Sequence, residues 1–349
     1  MAQNLPAARA SSITADLSHH GRQVVAGRAV RLGPATGLTL DDLAAASIFE
    51  GSPSTVRNYQ LGQRRFADWC DDNGIPYDFP RHAVTPEAVA LFIDAMAADG
   101  LKPATLNTYV AAVSKMHKRL NLPSPADTQI VKDAKASHIK RLMSDDTGDR
   151  GEQQQAAPMR WEAVGPALDA MGDLPIDLRD RALILMAYET GARASELCAL
   201  RWRDLKQVEA GAVVTVYSTK TGSVRQAPLP ASSYAAVQAW GAAIGVEPDA
   251  PIFCPLSSKS GDDTSRLTRR DVSRVFAARV GPWARGDKAL SAHSARVGKA
   301  QDLRAAGFSS GDIAQAMGWK TDAMPNRYTR HLAAWDNAAA RLAQMQGRA

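Results

Sequence analysis

The chain has 349 residues, 45% of them hydrophobic and 22% charged, with a formal net charge of +6. That length suits two domains rather than one, and the composition belongs to a globular protein able to bury cores. No apolar run approaches the ~20 residues a membrane-spanning helix requires, and residues 1–40 hold no apolar signal-peptide core, so a bacterial cytoplasmic location is expected.

Residues 1–45 are rich in Ala, Gly and Ser and are expected to be disordered. Ser52 or Ser54 with Pro53 makes a helix start, and from Thr55 to Cys70 one face carries Val56, Tyr59, Phe66 and Cys70 while Arg57 and Arg64 point away. A second helix begins after Thr85-Pro86, turns Val89, Phe92, Ile93 and Met96 inward and stops at Gly100. A third starts near Pro103 with Leu106, Val110, Val113, His117 and Leu120 as its stripe and Thr108, Lys115 and Arg119 on its other side. Short helices with an apolar stripe and a cationic back describe a small bundle that grips a polyanion.

Leu122-Pro123-Ser124-Pro125 is the first candidate boundary, and the polar run from Ser144 to Ala157 is read as an exposed loop. Between them, Thr128 to Met143 reads as a basic helix. The predicted domains are therefore residues 46–127, a helical DNA-binding domain, and residues 128–349, a second domain that carries the chemistry.

After Pro158 the chain turns apolar. Leu183 to Tyr188 lies in a buried helix that ends at Gly191. Val213 to Tyr217 and Val224 to Leu229 alternate as two strands of a hairpin, with Lys220 near its tip. Thr268 caps a helix predicted to run to Val280, with Val272, Val275, Phe276 and Val280 on one side and Arg270 and Arg274 on the other. A buried stripe with opposed arginines suits a helix lying against DNA.

Charge is unevenly spread. Eight Lys/Arg stand against Asp127 and Asp133 between Lys102 and Arg141, and six Arg stand against Asp271 alone between Arg266 and Arg285. Two basic stretches in one chain point to a nucleic acid held from two sides. Cys70, Cys198 and Cys254 are far apart and form no CxxC pair, so neither a zinc site nor a disulfide framework is supported.

The C-terminal half holds a set of residues suited to breaking a phosphodiester without water or metal. Such a reaction needs a nucleophile in line with phosphorus, fixed cations on the non-bridging oxygens and a proton for the departing oxygen. Arginine suits the oxygens because its planar fork binds them in pairs and keeps its charge. A tyrosine can be the nucleophile if its surroundings relieve its pKa of about 10. Arg193 and Glu196, at i and i+3, can touch. His293 and Arg296 have the same spacing, Trp319 follows Gly318, and Tyr328 follows Arg327 nine residues later.

The order Arg193, Lys220, His293-x-x-Arg296, Trp319, Tyr328 resembles the tyrosine recombinase (phage integrase) family. Trp319 places it near a branch with Trp where most integrases carry His. The likeness runs over about residues 50–345, most specifically in Ser291 to Gly298 and least so in the N-terminal helices. It implies a mainly α protein: an all-helical N-terminal core-binding domain and a mixed α/β catalytic domain with a small sheet, together forming a C-shaped clamp on DNA. It implies that Tyr328 is the nucleophile, forming a 3′-phosphotyrosine link, and that Arg193 and Arg296 hold the scissile phosphate. His293 would bind phosphate and could accept the tyrosine proton, Lys220 would protonate the departing 5′-oxygen, Trp319 would donate its indole N–H, and Glu196 would support. No cofactor and no metal are implied, and the chain carries no Walker-type loop or carboxylate triad.

The family's architecture further implies double-stranded DNA with inverted-repeat sites, Holliday-junction chemistry and a homo-tetramer on two such sites, with no membrane and no small-molecule substrate. The segment Ala333 to Met345, with Trp335, Ala338, Ala339, Leu342 and Met345 on one face, would dock into a neighbouring protomer or else fold on its own core. Arg270 is aligned with the major groove, with Arg274 beside it. Arg57, Asn58, Lys102, Thr105, Lys115 and Arg119 are N-terminal candidates for DNA contact. A type IB topoisomerase or a telomere resolvase uses nearly the same residues; length and the N-terminal bundle favour a recombinase. A non-catalytic DNA-binding protein is opposed by the intact residue set. A helix-turn-helix regulator built on Gln301 to Met317 leaves Arg193 and Lys220 unexplained.

Overall fold

The computed structural model of the chain describes residues 52–76, 83–119, 121–144, 155–218, 222–256, 265–333 and 337–348. The expected disorder of residues 1–45 falls outside them, as do Lys220 and Trp335. The chain divides into two units, Met1–Gln153 and Gln154–Ala349.

Among the described residues the first unit is helical: α1 (Pro53–Asp72), α2 (Pro86–Ala98), α3 (Pro103–Arg119) and α4 (Gln129–Ser144). Ser52 caps α1, its hydroxyl accepting from the Thr55 N–H at 3.3 Å, and Thr85 caps α2 by accepting from Ala88 at 3.2 Å. Each satisfies an N–H that a helix start otherwise leaves bare. Phe66 and Cys70 of α1, Val89, Phe92, Ile93 and Met96 of α2, and Leu106, Val110 and Val113 of α3 form one core. Phe66 meets Phe92 edge to face at 5.2 Å. His117 of the predicted stripe is buried: its Nε2 accepts from the Val84 N–H at 2.9 Å, and its Nδ1 lies 2.7 Å from the Val113 carbonyl.

The proline-rich segment behaves differently from the boundary expected there. Pro125–Asp127 forms a 3-10 turn with Pro125 buried and Ala126 packed on the core. Thr128 then donates to the Pro125 carbonyl at 2.7 Å. Val131 and His138 of α4 face the same unit, His138 Nε2 lying 2.9 Å from the Leu101 carbonyl. Helix α4, assigned by sequence to the second domain, therefore lies with the first. The division of the chain falls in the later polar stretch, between Gln153 and Gln154.

The second unit contains α5 (Trp161–Asp169), α6 (Pro175–Thr190), the one-turn α7 (Ala194–Leu197), strands β1 (Leu205–Val208), β2 (Gly211–Ser218) and β3 (Ser223–Pro230), α8 (Ala231–Ile244), α9 (Arg269–Val275), α10 (Ser294–Ala305), α11 (Ser310–Met317), α12 (Ala323–Tyr328), α13 (Arg330–Ala333) and α14 (Ala338–Met345). The strands pair antiparallel in the order β1-β2-β3, with Val216 opposite Arg225 and Ser218 opposite Ser223. Beyond the predicted hairpin, β1 is added by a turn at Gly211, whose φ of +134° suits glycine. Helix α6 is buried along its length from Ala182 to Tyr188, as its continuous apolar run requires.

The helix expected from Thr268 to Val280 is regular only to Val275 and then widens into a π turn over Phe276–Val280. Phe276 and Val280 stay in the core, and Arg279 reaches Asp177 at 2.9 Å and Asp180 at 2.9 Å on α6. Helix α10 is anchored through Asp302. Its carboxylate accepts from Arg160 Nε at 2.7 Å, the Trp161 N–H at 2.8 Å and the Tyr188 hydroxyl at 2.5 Å. Gly298 lets α10 pass close to the chain before α5, since a Cβ there would lie 1.9 Å from the Met159 carbonyl oxygen.

Candidate active site

The site begins where α6 ends. Thr190 donates its hydroxyl to the Met186 carbonyl at 2.6 Å and accepts from the Ala192 N–H at 3.2 Å, while Gly191 adopts φ +55° and stops the helix. Arg193 follows. Its N–H and its Nη1 both donate to the Glu196 carboxylate, at 2.8 and 2.7 Å, and Nη1 lies 3.3 Å from Ser218 Oγ at the end of β2. Glu196 is 5% exposed. Burial raises its pKa, but the Arg193 N–H, the Arg193 guanidinium and the Ser218 hydroxyl together hold it below the ordinary value. It is thus a carboxylate that fixes Arg193.

Arg296, in the first turn of α10, is 2% exposed. Its Nη1 donates to the Gly191 carbonyl, and its guanidinium lies over the Trp319 ring at 5.3 Å. Burial first, then the nearby Arg193, bring its pKa down to about 10, which still leaves it charged at neutral pH. A further guanidinium that the sequence reading missed belongs here. Arg225 of β3 donates Nη2 to the Thr190 carbonyl at 2.7 Å. Burial lowers its pKa, with Glu196 opposing and Arg193 adding to the shift. A signal for it existed: strand alternation puts Arg225 on the same face as Ala227 and Leu229, both buried.

Tyr328, the last residue of α12, is buried, and its hydroxyl lies 2.5 Å from His293 Nε2. His293 occupies the N-cap position of α10, three residues before Arg296. The Trp319 ring is 5.3 Å from the Tyr328 ring, and Gln301 donates Nε2 to the Tyr328 carbonyl at 3.2 Å. Burial pushes the Tyr328 phenol above its ordinary pKa, only partly opposed by Arg296, Arg327 and Arg193. The relief of the phenol that the chemistry demands is therefore absent from the free protein, because desolvation outweighs three cations. What the site supplies is an imidazole within proton-transfer distance.

Three buried donors in this cluster, Arg225 Nη1, Arg296 Nε and Trp319 Nε1, have no hydrogen-bond partner among the described residues. Buried donors are rarely left so, and three together around an excess of positive charge suit an incoming anion with several acceptor oxygens.

The sequence matches the phage integrase family over residues 160–334, half of the chain. The chain belongs to that family. This integrase is 29% identical over 301 residues to the recombinase Cre of Escherichia phage P1, covering 80% of this chain and 84% of Cre. It is 24% identical over 286 residues to a XerD homologue of Selenomonas ruminantium, covering 79% and 81%. Its fold is similar to that of the XerH site-specific recombinase, with a TM-score of 0.58 over 80% of this chain and 78% of XerH at 15% identity. The protein is a tyrosine recombinase.

Of the residues singled out in this recombinase by sequence, Arg193, Glu196, His293, Arg296, Trp319 and Tyr328 gather at one place, and Lys220 lies outside the described residues. In the same unit Arg270 and Arg274 stand exposed on α9 above buried Val272 and Val275, with Arg274 3.1 Å from Asp271. In the first unit Arg57, Asn58, Lys102, Thr105 and Arg119 are exposed, and Lys115 sits 5.2 Å over the Tyr59 ring. The cysteines are free thiols; burial, with Asp71 adding, pushes Cys70 up to about 12, as befits an inert packing group.

Proposed function

We propose that this tyrosine recombinase acts as Cre-like recombinases do, cutting and rejoining DNA at defined sites through a 3′-phosphotyrosine link and a Holliday junction. The observation that carries the reading is the Tyr328 hydroxyl 2.5 Å from His293 Nε2, beside the unpartnered donors of Arg296 and Trp319. With DNA bound, Arg193 and Arg296 hold the non-bridging oxygens of the scissile phosphate and Trp319 donates its N–H. The Tyr328 oxygen attacks phosphorus and its proton passes to His293. The P–O bond to the 5′-oxygen breaks, and Lys220 gives that oxygen a proton. The tyrosyl ester keeps the bond energy, so a 5′-hydroxyl from a second duplex attacks phosphorus, frees Tyr328 and reseals the strand. The cations this requires are arginines, so the reaction needs neither ATP nor metal.

The partner in this reading is double-stranded DNA with inverted-repeat sites, gripped along its phosphates by Arg57, Asn58, Lys102, Thr105, Lys115 and Arg119 and read in a groove by Arg270 with Arg274 beside it. Two such duplexes are held by four copies of the chain. Helix α14 supports that assembly: none of its described side chains is buried, and Leu342 and Met345 are 50% and 85% exposed. An apolar stripe left bare on its own chain suits a groove on a neighbour.

Selection of bound duplexes from random DNA by the full chain supplies the site, and a nicked copy of that site then traps the covalent adduct. Tyr328→Phe removes the adduct; its persistence in that variant defeats the assignment. Lys220→Ala stops adduct formation on a normal substrate and regains it on a bridging 5′-phosphorothiolate, whose sulfur leaves without a proton. No rescue means that Lys220 is not the acid.

A further inference from the structure

We propose that Arg225 is a positioning residue for strand transfer. It holds the segment that carries Arg193 and the turn that carries Trp319 in the arrangement in which both face one phosphate. The inference rests on the reading of Arg193, Arg296 and Trp319 as the phosphate's ligands.

The geometry comes from three elements meeting at one side chain. Arg225 projects from the buried face of β3, between Ala227 and the hairpin end. Its Nη2 donates at 2.7 Å to the carbonyl of Thr190, the last residue of α6. Helix ends leave their final carbonyls without intrahelical partners, so this bond ties the sheet to the C-terminus of α6 and satisfies a group that is otherwise orphaned. Arg296 does the same for Gly191, so adjacent carbonyls of the connector are each held by a guanidinium, and Arg193 leaves two residues later. The third contact is with Gly318. This residue has φ +64°, and a Cβ built on it would lie 2.4 Å from Arg225 Cδ and 3.0 Å from Nε. The turn that delivers Trp319 therefore rests on the stem of Arg225, and glycine is needed there both for the dihedral and for the room.

Charge shows that this is more than packing. Arg225 and the buried Arg296 lie beside Arg193 and one carboxylate, Glu196, and both Arg193 and Glu196 act on their titration. A fold seeking only to bridge a strand and a helix end could use a neutral donor and avoid burying a third cation beside two others. An arginine at this position is understandable where an anion enters, and its Nη1, which has no partner among the described residues, remains able to donate.

The test follows single-turnover adduct formation with the full chain on two nicked duplexes, one with the ordinary scissile phosphodiester and one with a neutral methylphosphonate in its place. Arg225→Met is expected to slow the phosphodiester about 10–100-fold, the scale on which a displaced ligand is felt, while duplex affinity changes less than about twofold. On the methylphosphonate, which carries no charge for a guanidinium to hold, the variant should come within about threefold of the unchanged protein. A deficit of equal size on both substrates means a merely structural role and overturns the proposal, as does an unchanged rate on the phosphodiester. Arg193→Ala runs beside it: rescue of Arg193→Ala without rescue of Arg225→Met removes Arg225 alone, whereas rescue of neither removes the phosphate reading with it. If Arg225→Met fails to fold, Arg225→Lys, which keeps the cation and one arm of the bond, is read by the same two-substrate ratio and the same criteria.

Discussion

Three guanidiniums at the end of α6, offset by the single carboxylate of Glu196, repel one another when no anion is bound. Burial and mutual repulsion lower the affinity of Arg296 for its proton, yet at about 10 it stays charged. Its planar fork can therefore serve as a fixed cation, which a lysine so desolvated could not guarantee. The same scale explains Gly298, whose missing side chain lets α10 lie against the backbone at Met159. Its φ is not in the left-handed region, so the requirement is for space and not for conformation. Gly298→Ala is expected to destabilise the protein by about 3 kcal/mol, at the upper end for overpacking, because the obstructing atom is a carbonyl that cannot swing aside. Thermal unfolding measures it; a loss below about 1 kcal/mol refutes the close approach.

Elements are placed by the groups that satisfy their ends. Ser52, Thr85, Thr268 and Ser309 each cap a helix with a hydroxyl, and such starts are legible because the cap and the apolar period occur together. The π turn after α9 is not legible, since Phe276 and Val280 fit a continuous α-helix equally well. The link between α3 and the start of α2 rests on His117, which accepts the Val84 N–H and must be neutral at Nε2 to do so. Burial lowers its pKa, against a smaller rise from the Val113 carbonyl. The folded value lies below the unfolded value of about 6.5, so the unfolded chain binds the proton first. The stability His117 contributes is complete above that pH and is lost as pH falls below it. The urea midpoint should therefore drop between pH 7.5 and pH 5.5 by more in the unchanged protein than in His117→Gln. Equal drops would refute the assignment.

At the scale of the whole molecule, Tyr328, five residues before the end of α13, is followed by α14, none of whose described side chains is buried. On the proposed reading, the bare stripe of Leu342 and Met345 couples nucleophile placement to assembly, α14 beginning ten residues after Tyr328. Removing the residues after Ala333 is expected to leave the melting temperature within about 2 °C, since no described residue of α14 is buried. The same truncation should abolish tetramers on DNA in sedimentation. Tetramers persisting in the truncated chain would show that α14 does not join protomers. EDTA should leave strand exchange by the intact chain unchanged.

Sequence by itself determined the class of chemistry and the secondary elements that carry it. Residues able to hold a phosphate and attack it occur in a fixed order, and helix periods and strand alternation are local properties of a chain. Tertiary structure alone decided which unit takes α4, because Pro125 and Ala126 turn inward only when the core they meet exists. It alone decided that Tyr328 rests against His293 with its pKa raised, since the balance between desolvation and three cations depends on distances. It decided Arg225 as well. A basic residue in a strand reads as solvent-facing until the end of α6 and Gly318, 35 residues before it and 93 after, close around it.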